Sequence, residues 1–193
     1  MRPRADRGMK MARILIVYST VDGHTRYISE FIATWLRNTG HQVQLLSVDE
    51  LPATLPDTYD RLVVGASIRY GNYRPALRAF TQRHASLLNS KPSAFFSVNL
   101  VARKPGRDTP ATNPYVKKLL SQTHWRPAEV AVFAGKLDYP RYRPVDRWVI
   151  RLIMWLTDGP TAPATVQDFT DWRKVEAFAA RVARLELPPV SAA

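Results

Sequence analysis

Cysteine is missing from all 193 residues, and with it go disulfide staples, thiolate metal sites, iron–sulfur clusters and cysteine nucleophiles. Histidine is nearly as scarce. His24, His41, His84 and His124 are scattered without ligand spacing, so no metal centre is expected. Long hydrophobic runs are lacking too. The most apolar stretch, residues 145–156, is broken by Asp146, Arg147 and Arg151, whereas crossing a bilayer takes ~20 predominantly apolar residues. The first ten residues carry Arg2, Arg4, Arg7 and Lys10 with no apolar stretch behind them, unlike a secretory signal. Acidic residues are in deficit: 28 Lys plus Arg stand against 16 Asp plus Glu, a formal net charge of +12. That excess calls for an anionic partner, whether nucleic acid, an acidic membrane surface or a polyanionic small molecule. Nucleic acid is the weakest of the three, because no aromatic RNA-binding signature or zinc finger occurs.

What is present suits a globular chain. Apolar residues make up 46% of it, too many for a disordered protein, and the length fits one domain. Residues 1–11 read as a mobile tail, 12–187 as a single domain and 188–193 as a frayed end. Residues 13–18 are a continuous apolar run of strand length, as in a strand covered on both faces. Tyr27, Ile28, Phe31, Ile32, Trp35 and Leu36 then recur at helical spacing, with Gly40 as the stop. Further strands are expected at 43–48, 61–66, 93–98 and 130–134, and helices at 76–88, 115–121 and 172–185. No internal repeat is visible. Strand and helix alternate through short links, the signature of an α/β, doubly wound parallel sheet. Five strands suit the flavodoxin-like order 2-1-3-4-5. One link is far too long: an insertion of about residues 136–171 separates the fifth strand from the last helix.

The first strand–helix turn holds Ser19, Thr20, Val21, Asp22, Gly23, His24 and Thr25. A helix N-terminus offers unpaired N–H groups and a positive dipole end, both suited to a phosphate. The turn is neither Gly-x-Gly-x-x-Gly nor a Gly-Lys-Ser/Thr loop, so a single terminal phosphate without magnesium fits it better than a dinucleotide or a triphosphate. The alternative is a capped helix whose hydroxyls satisfy their own backbone. Two more loops lie at the carboxyl edge of the sheet, where such folds bind ligands. One comprises Ser67, Ile68, Arg69, Tyr70 and Gly71, with Tyr73 shortly after it. The other comprises Ser97, Val98, Asn99, Leu100, Val101, Ala102 and Arg103. Tyr70 and Tyr73 could wall a flat ring system, with Gly71 admitting close backbone approach.

Within the insertion, Pro144 opens a helical pattern through residue 156. Arg143, Arg147 and Arg151 fall four apart on one face, with Val145, Trp148, Val149, Leu152, Trp155 and Leu156 over the other. Such a helix suits lying on an anionic membrane surface, through Arg147, Trp148, Arg151, Leu152 and Trp155. Packing on the domain with arginines in water is the alternative. Arg103 and Lys104 after the fourth strand, with Arg141 and Arg143 from the insertion, are candidates to hold the carboxylate arms of a substrate through paired hydrogen bonds, a solvated charged loop being the alternative.

Four segments carry a resemblance: residues 18–26, 65–71, 96–105 and 139–142. Together they are similar to the bacterial menaquinone-dependent protoporphyrinogen IX dehydrogenases, the flavodoxin-like, oxygen-independent enzymes of haem synthesis. The likeness runs from about residue 13 to 185. It implies FMN in the three loops, a long loop interrupting the fifth strand, and peripheral attachment to the cytoplasmic face of the inner membrane. It further implies oxidation of protoporphyrinogen IX in two-electron steps, with electrons passing through FMN to a membrane quinone. An NAD(P)H:quinone reductase and a flavodoxin-type electron carrier are the rival functions, and a homo-oligomer stays open. In the phosphate turn Asp22 stands where flavodoxins commonly carry Thr or Ser before the glycine, so its carboxylate is expected to turn away or to cap the helix. No residue is singled out as the proton acceptor.

Overall fold

Arg13–Ser19 forms β1, and every residue in it after Arg13 is buried. It pairs in parallel with β2 (Gln42–Ser47) on one side and β3 (Arg61–Ser67) on the other. β3 pairs with the wholly buried β4 (Ser93–Val98), and β4 with β5 (Glu129–Phe133). The five-stranded parallel sheet therefore runs β2-β1-β3-β4-β5, as expected. The computed structural model describes residues 10–52, 54–156 and 159–186. Most of the expected N-terminal tail and all of the expected C-terminal end lie outside the described residues.

Side-chain alternation divides the core between two faces. Ile14 and Ile16 of β1 face α1 (His24–Asn38) and α6 (Trp172–Val182), and meet Ile28, Ile32, Phe178 and Val182. Leu15 and Val17 face α2 (Pro75–Arg83), α3 (Ala85–Ser90) and α4 (Pro114–Gln122), and meet Leu77, Phe80, Leu88 and Val116. Gly65 in β3 is fixed by close approach, since a Cβ there would lie 2.1 Å from the Phe96 ring. The single helix expected over 76–88 is two. His84 adopts φ −104°, ψ 15°, outside the helical region, while its ring lies 5.0 Å from Phe80. The break re-aims the chain so that Leu88 reaches the core.

The insertion leaves at the end of β5. Its first strand, β6 (Lys136–Asp138), pairs antiparallel with its last, β7 (Val166–Asp168), with Lys136 opposite Asp168. The Phe169 N–H donates to the Gly135 carbonyl at 3.2 Å and closes the neck. Between them lie a short 3-10 turn, Tyr139–Arg141, and α5, Pro144–Leu156. Leu137, Tyr139, Tyr142 and Met154 form a small buried core of their own, against which Leu100, Ile150 and Phe169 pack.

Candidate active site

The carboxyl ends of β1, β3 and β4 deliver three loops to one sheet edge, and the insertion closes over them. Together they form a cleft of about 140 Å³ that opens to solvent on one side.

At the floor is the turn after β1. Gly23 takes φ 86°, and its N–H donates to Thr20 Oγ1 at 3.0 Å. Among the described residues no side chain caps α1, so its first N–H groups keep their capacity for an anion. Ser19 Oγ and Thr25 Oγ1 are buried hydroxyls without a hydrogen-bond partner among the described residues. A buried hydroxyl left unsatisfied costs about 1–3 kcal/mol, and an oxyanion at this turn would remove that cost. Thr20, Asp22, His24 and Thr25 line the cleft. Ser19 lies behind it, Val21 points into solvent, and Gly23 acts through its backbone conformation.

Asp22 neither caps the helix nor faces the turn bare. Both its oxygens accept from Arg69 Nη1 at 2.7 Å. Arg69 Nη2 donates to Asp146 of α5, and the Tyr70 hydroxyl donates to the same carboxylate. These two donors hold the Asp146 carboxyl below its usual range, the Tyr70 hydrogen bond foremost. Tyr70 (φ 49°) and Gly71 (φ 75°) are the two central residues of a tight hairpin turn, closed by paired backbone hydrogen bonds between Arg69 and Asn72. The turn leaves the Tyr70 ring half exposed at the cleft wall beside Ser67, Ile68 and Gly71. Tyr73 is buried instead, its hydroxyl donating to Ser97 Oγ at 2.8 Å.

The loop after β4 divides the same way. Val98, Asn99, Leu100 and Val101 line the cleft. Ser97 and Ala102 are buried behind it, with Asn99 Oδ1 accepting from the Ala102 N–H at 3.1 Å. Arg103 folds back to donate to the Leu100 carbonyl at 2.8 Å. Neither Arg103 nor Lys104, nor the exposed Arg141 and Arg143, is brought to the lining. The lining takes in residues that sequence reasoning missed: Tyr115 of α4, Gly135, Lys136, Tyr142, and Ile150 and Ile153 of α5. The overlong link between β5 and α6 was the signal for all of these but Tyr115, which α4 brings in. Burial pushes the Tyr142 hydroxyl up to about 12 and draws His24 below its usual range. His24 Nε2 lies 2.7 Å from Thr170 Oγ1 and 3.5 Å from Asp168 Oδ1, tying the turn to the insertion's neck.

α5 corrects one expectation outright. Arg147 turns inward and Arg151 is half-buried, so the two do not form an outward cationic face. Arg147 donates to the carbonyls of Tyr139 (3.1 Å) and Tyr142 (3.5 Å), the first of which also accepts from the Tyr142 N–H across the tight turn before the helix. Arg151 is half-buried with its guanidinium 5.5 Å from the Trp148 ring centroid. Neither is turned outward to meet lipid headgroups. The exposed face is apolar: Val145, Trp148 and Trp155 are each about 70% exposed, and Leu152 57%. No helix among the described residues is long and apolar enough to cross a membrane.

A family model described as the flavodoxin domain matches residues 15–164. The chain is 47% identical over 177 residues to the protoporphyrinogen IX dehydrogenase [quinone] of Escherichia coli strain K12, covering 92% of this chain and 98% of that protein. It is 42% identical to the protein of the same name from Leishmania major, covering 92% and 78%. Among solved structures, the two-electron reduced flavodoxin of Megasphaera elsdenii superposes with a TM-score of 0.55 at 12% identity, covering 89% and 98%.

Proposed function

The chain belongs to the flavodoxin-domain family that includes the quinone-linked protoporphyrinogen IX dehydrogenases, and on that premise we propose that it oxidises protoporphyrinogen IX with FMN in the cleft and menaquinone as acceptor. It is a flavin-dependent oxidoreductase of porphyrin metabolism that passes electrons to a quinone. One observation carries the finer reading: a single cleft joins a phosphate-competent turn to an aromatic and apolar wall built partly by the insertion.

The residues present fit a flavin mononucleotide. Thr20 and Thr25 hydroxyls and the open N-terminus of α1 would hold its phosphate, and Arg69 neutralises the Asp22 carboxylate that would otherwise repel it. Tyr70, Leu100 and Val101 would flank its ring. When bound, the flavin supplies the redox chemistry, taking hydride equivalents from the porphyrinogen and giving electrons to the quinone. The chain supplies orientation, exclusion of water and charge. The Tyr142 hydroxyl accepts from the Asp138 N–H and donates to the Lys136 carbonyl, which fixes its ring at the cleft wall. Lys136, whose Nζ lies 3.2 Å from Asp138 Oδ2, lines the cleft with Arg69 and would meet a substrate carboxylate there. Arg103, Lys104, Arg141 and Arg143 then act at the approach, attracting propionates through their field instead of clamping them.

The outward apolar face of α5, with exposed Arg141 and Arg143 beside its start, suits an anionic lipid surface, in this reading the cytoplasmic face of a bacterial inner membrane. The test is anaerobic. Flavin-loaded protein mixed with protoporphyrinogen IX and menaquinone should generate porphyrin fluorescence, and its flavin should stay oxidised on mixing with NADPH alone. No porphyrin from flavin-replete protein would refute the proposal, and prompt bleaching by NADPH would favour the reductase.

A further inference from the structure

We propose that the quinone enters the cleft sideways along α5, its hydrocarbon tail leaving over Ile153, so that acceptor and porphyrinogen use different openings; this rests on the quinone-linked reading above. Asp146, Ile150 and Ile153 share one edge of α5, at i, i+4 and i+7. That edge borders the cleft, and its two ends differ in chemistry. At the N-terminal end Asp146 is bound by Arg69 and Tyr70, which fasten the helix to the β3 hairpin turn with charge and hydrogen bonds. A hydrocarbon tail passing there would have to displace ionic contacts. From about 6 to about 10 Å further along the axis, at 1.5 Å per residue, the edge is apolar. Ile150 and Ile153 line the cleft there.

Ile153 belongs to both surfaces. It lines the cleft and is also 42% exposed, adjoining Val149 and Leu152 on the outward face. An uninterrupted apolar track thus runs from the outer face of the helix, over Ile153, to Ile150 and Leu100 inside. Of the cations that could interrupt it, Arg147 turns to the Tyr139 and Tyr142 carbonyls and Arg151 lies over the Trp148 ring, on the flank of α5 away from Ile153. The propionates of a porphyrinogen find no cation along such a track, whereas a hydrocarbon tail needs none. Ile153 is thereby a specificity-determining residue for the acceptor.

The experiment uses flavin-loaded full-length protein in neutral detergent micelles. It compares kcat/KM for menaquinone carrying its long tail with that for menadione, which has none. Ile153→Ser removes roughly two methylene equivalents of tail contact, and should lower the tailed-to-tailless ratio by ~10-fold. Ile153→Trp, which narrows the passage while keeping an apolar surface, should lower the ratio in the same direction. Val145→Ser, on the same outward face but away from the cleft, should keep it. Equal losses for both quinones, an unchanged ratio, or an equal drop in V145S would each overturn the proposal. Flavin absorbance of each variant reports folding. Porphyrin formation by the unsubstituted protein with menadione shows that the functional reading stands even if the ratio fails to move.

Discussion

Thr25 and Arg69 shape the phosphate turn in different ways. Thr25 Oγ1 is buried without a partner among the described residues, so removing it takes nothing away from the flavin-free protein. Thr25→Val should therefore leave the melting temperature of apoprotein unchanged or raise it. It should also weaken FMN binding by about 30-fold, the equivalent of ~2 kcal/mol for a hydrogen bond to a charged oxygen. Fluorescence titration and thermal melting read the two quantities separately. Arg69→Ala exposes the cleft to an uncompensated Asp22 carboxylate. With that carboxylate half exposed to water, the loss should be about 1 kcal/mol in FMN affinity. It should shrink at high salt, and Asp22→Asn in the same chain should recover most of it. The turn itself was readable in the sequence because strand, hydroxyl-rich turn and helix are neighbours along the chain. The partner of Asp22 was not, since Arg69 comes from the next-but-one strand and arrives only through sheet topology.

Among the elements, α5 separates what periodicity reveals from what it hides. The spacing of Arg143, Arg147 and Arg151 identified a two-faced helix correctly, but it does not say which face turns inward. Backbone carbonyls at Tyr139 and Tyr142 decide that, by drawing Arg147 toward them, and they are created by a 3-10 turn that carries no periodic signal. With the apolar face outward, Trp148→Asp and Trp155→Asp should each weaken binding to anionic vesicles by about 2 kcal/mol, roughly 30-fold, in co-sedimentation. A comparable change on a packed helix would instead unfold it, so the melting temperature should barely move. β3 tolerates less. Gly65→Ala drives a methyl into the Phe96 ring, and urea unfolding should show a loss of about 3 kcal/mol. The helix break at His84 escaped sequence reasoning because Leu77, Phe80 and Leu88 sit where one continuous helix would also put apolar residues.

For the molecule as a whole, acid should act in two stages. His24, His41 and His84 all have pKa values below the ordinary 6.5, burial being the first cause in each. His41 Nδ1 accepts from the Ala12 N–H at 3.2 Å and needs to be uncharged to do so. The unfolded chain takes up these protons first, so their contribution is complete above about 6.5 and declines as pH falls toward the lowered folded values. Asp49 and Asp108, held below 3.8 by Arg74 and Lys174 respectively, lose their contribution only in stronger acid. Urea midpoints measured from pH 8 to pH 4 should begin to fall once the pH drops below about 6.5, and His41→Gln should flatten that decline. The alternation of apolar strands and amphipathic helices made the sheet order legible, because each element announces its own period. The cleft was legible only in part: three of its banks follow from the topology, and the fourth comes from a segment whose closure depends on pairing between residues thirty positions apart.

That pairing has an evolutionary corollary. Lys136 and Asp168 lie opposite one another, so the chain departs from the domain and re-enters it through one stitched doorway, with the strand before and the helix after already in register. Such an excursion can be shortened, exchanged or transplanted without rethreading the scaffold.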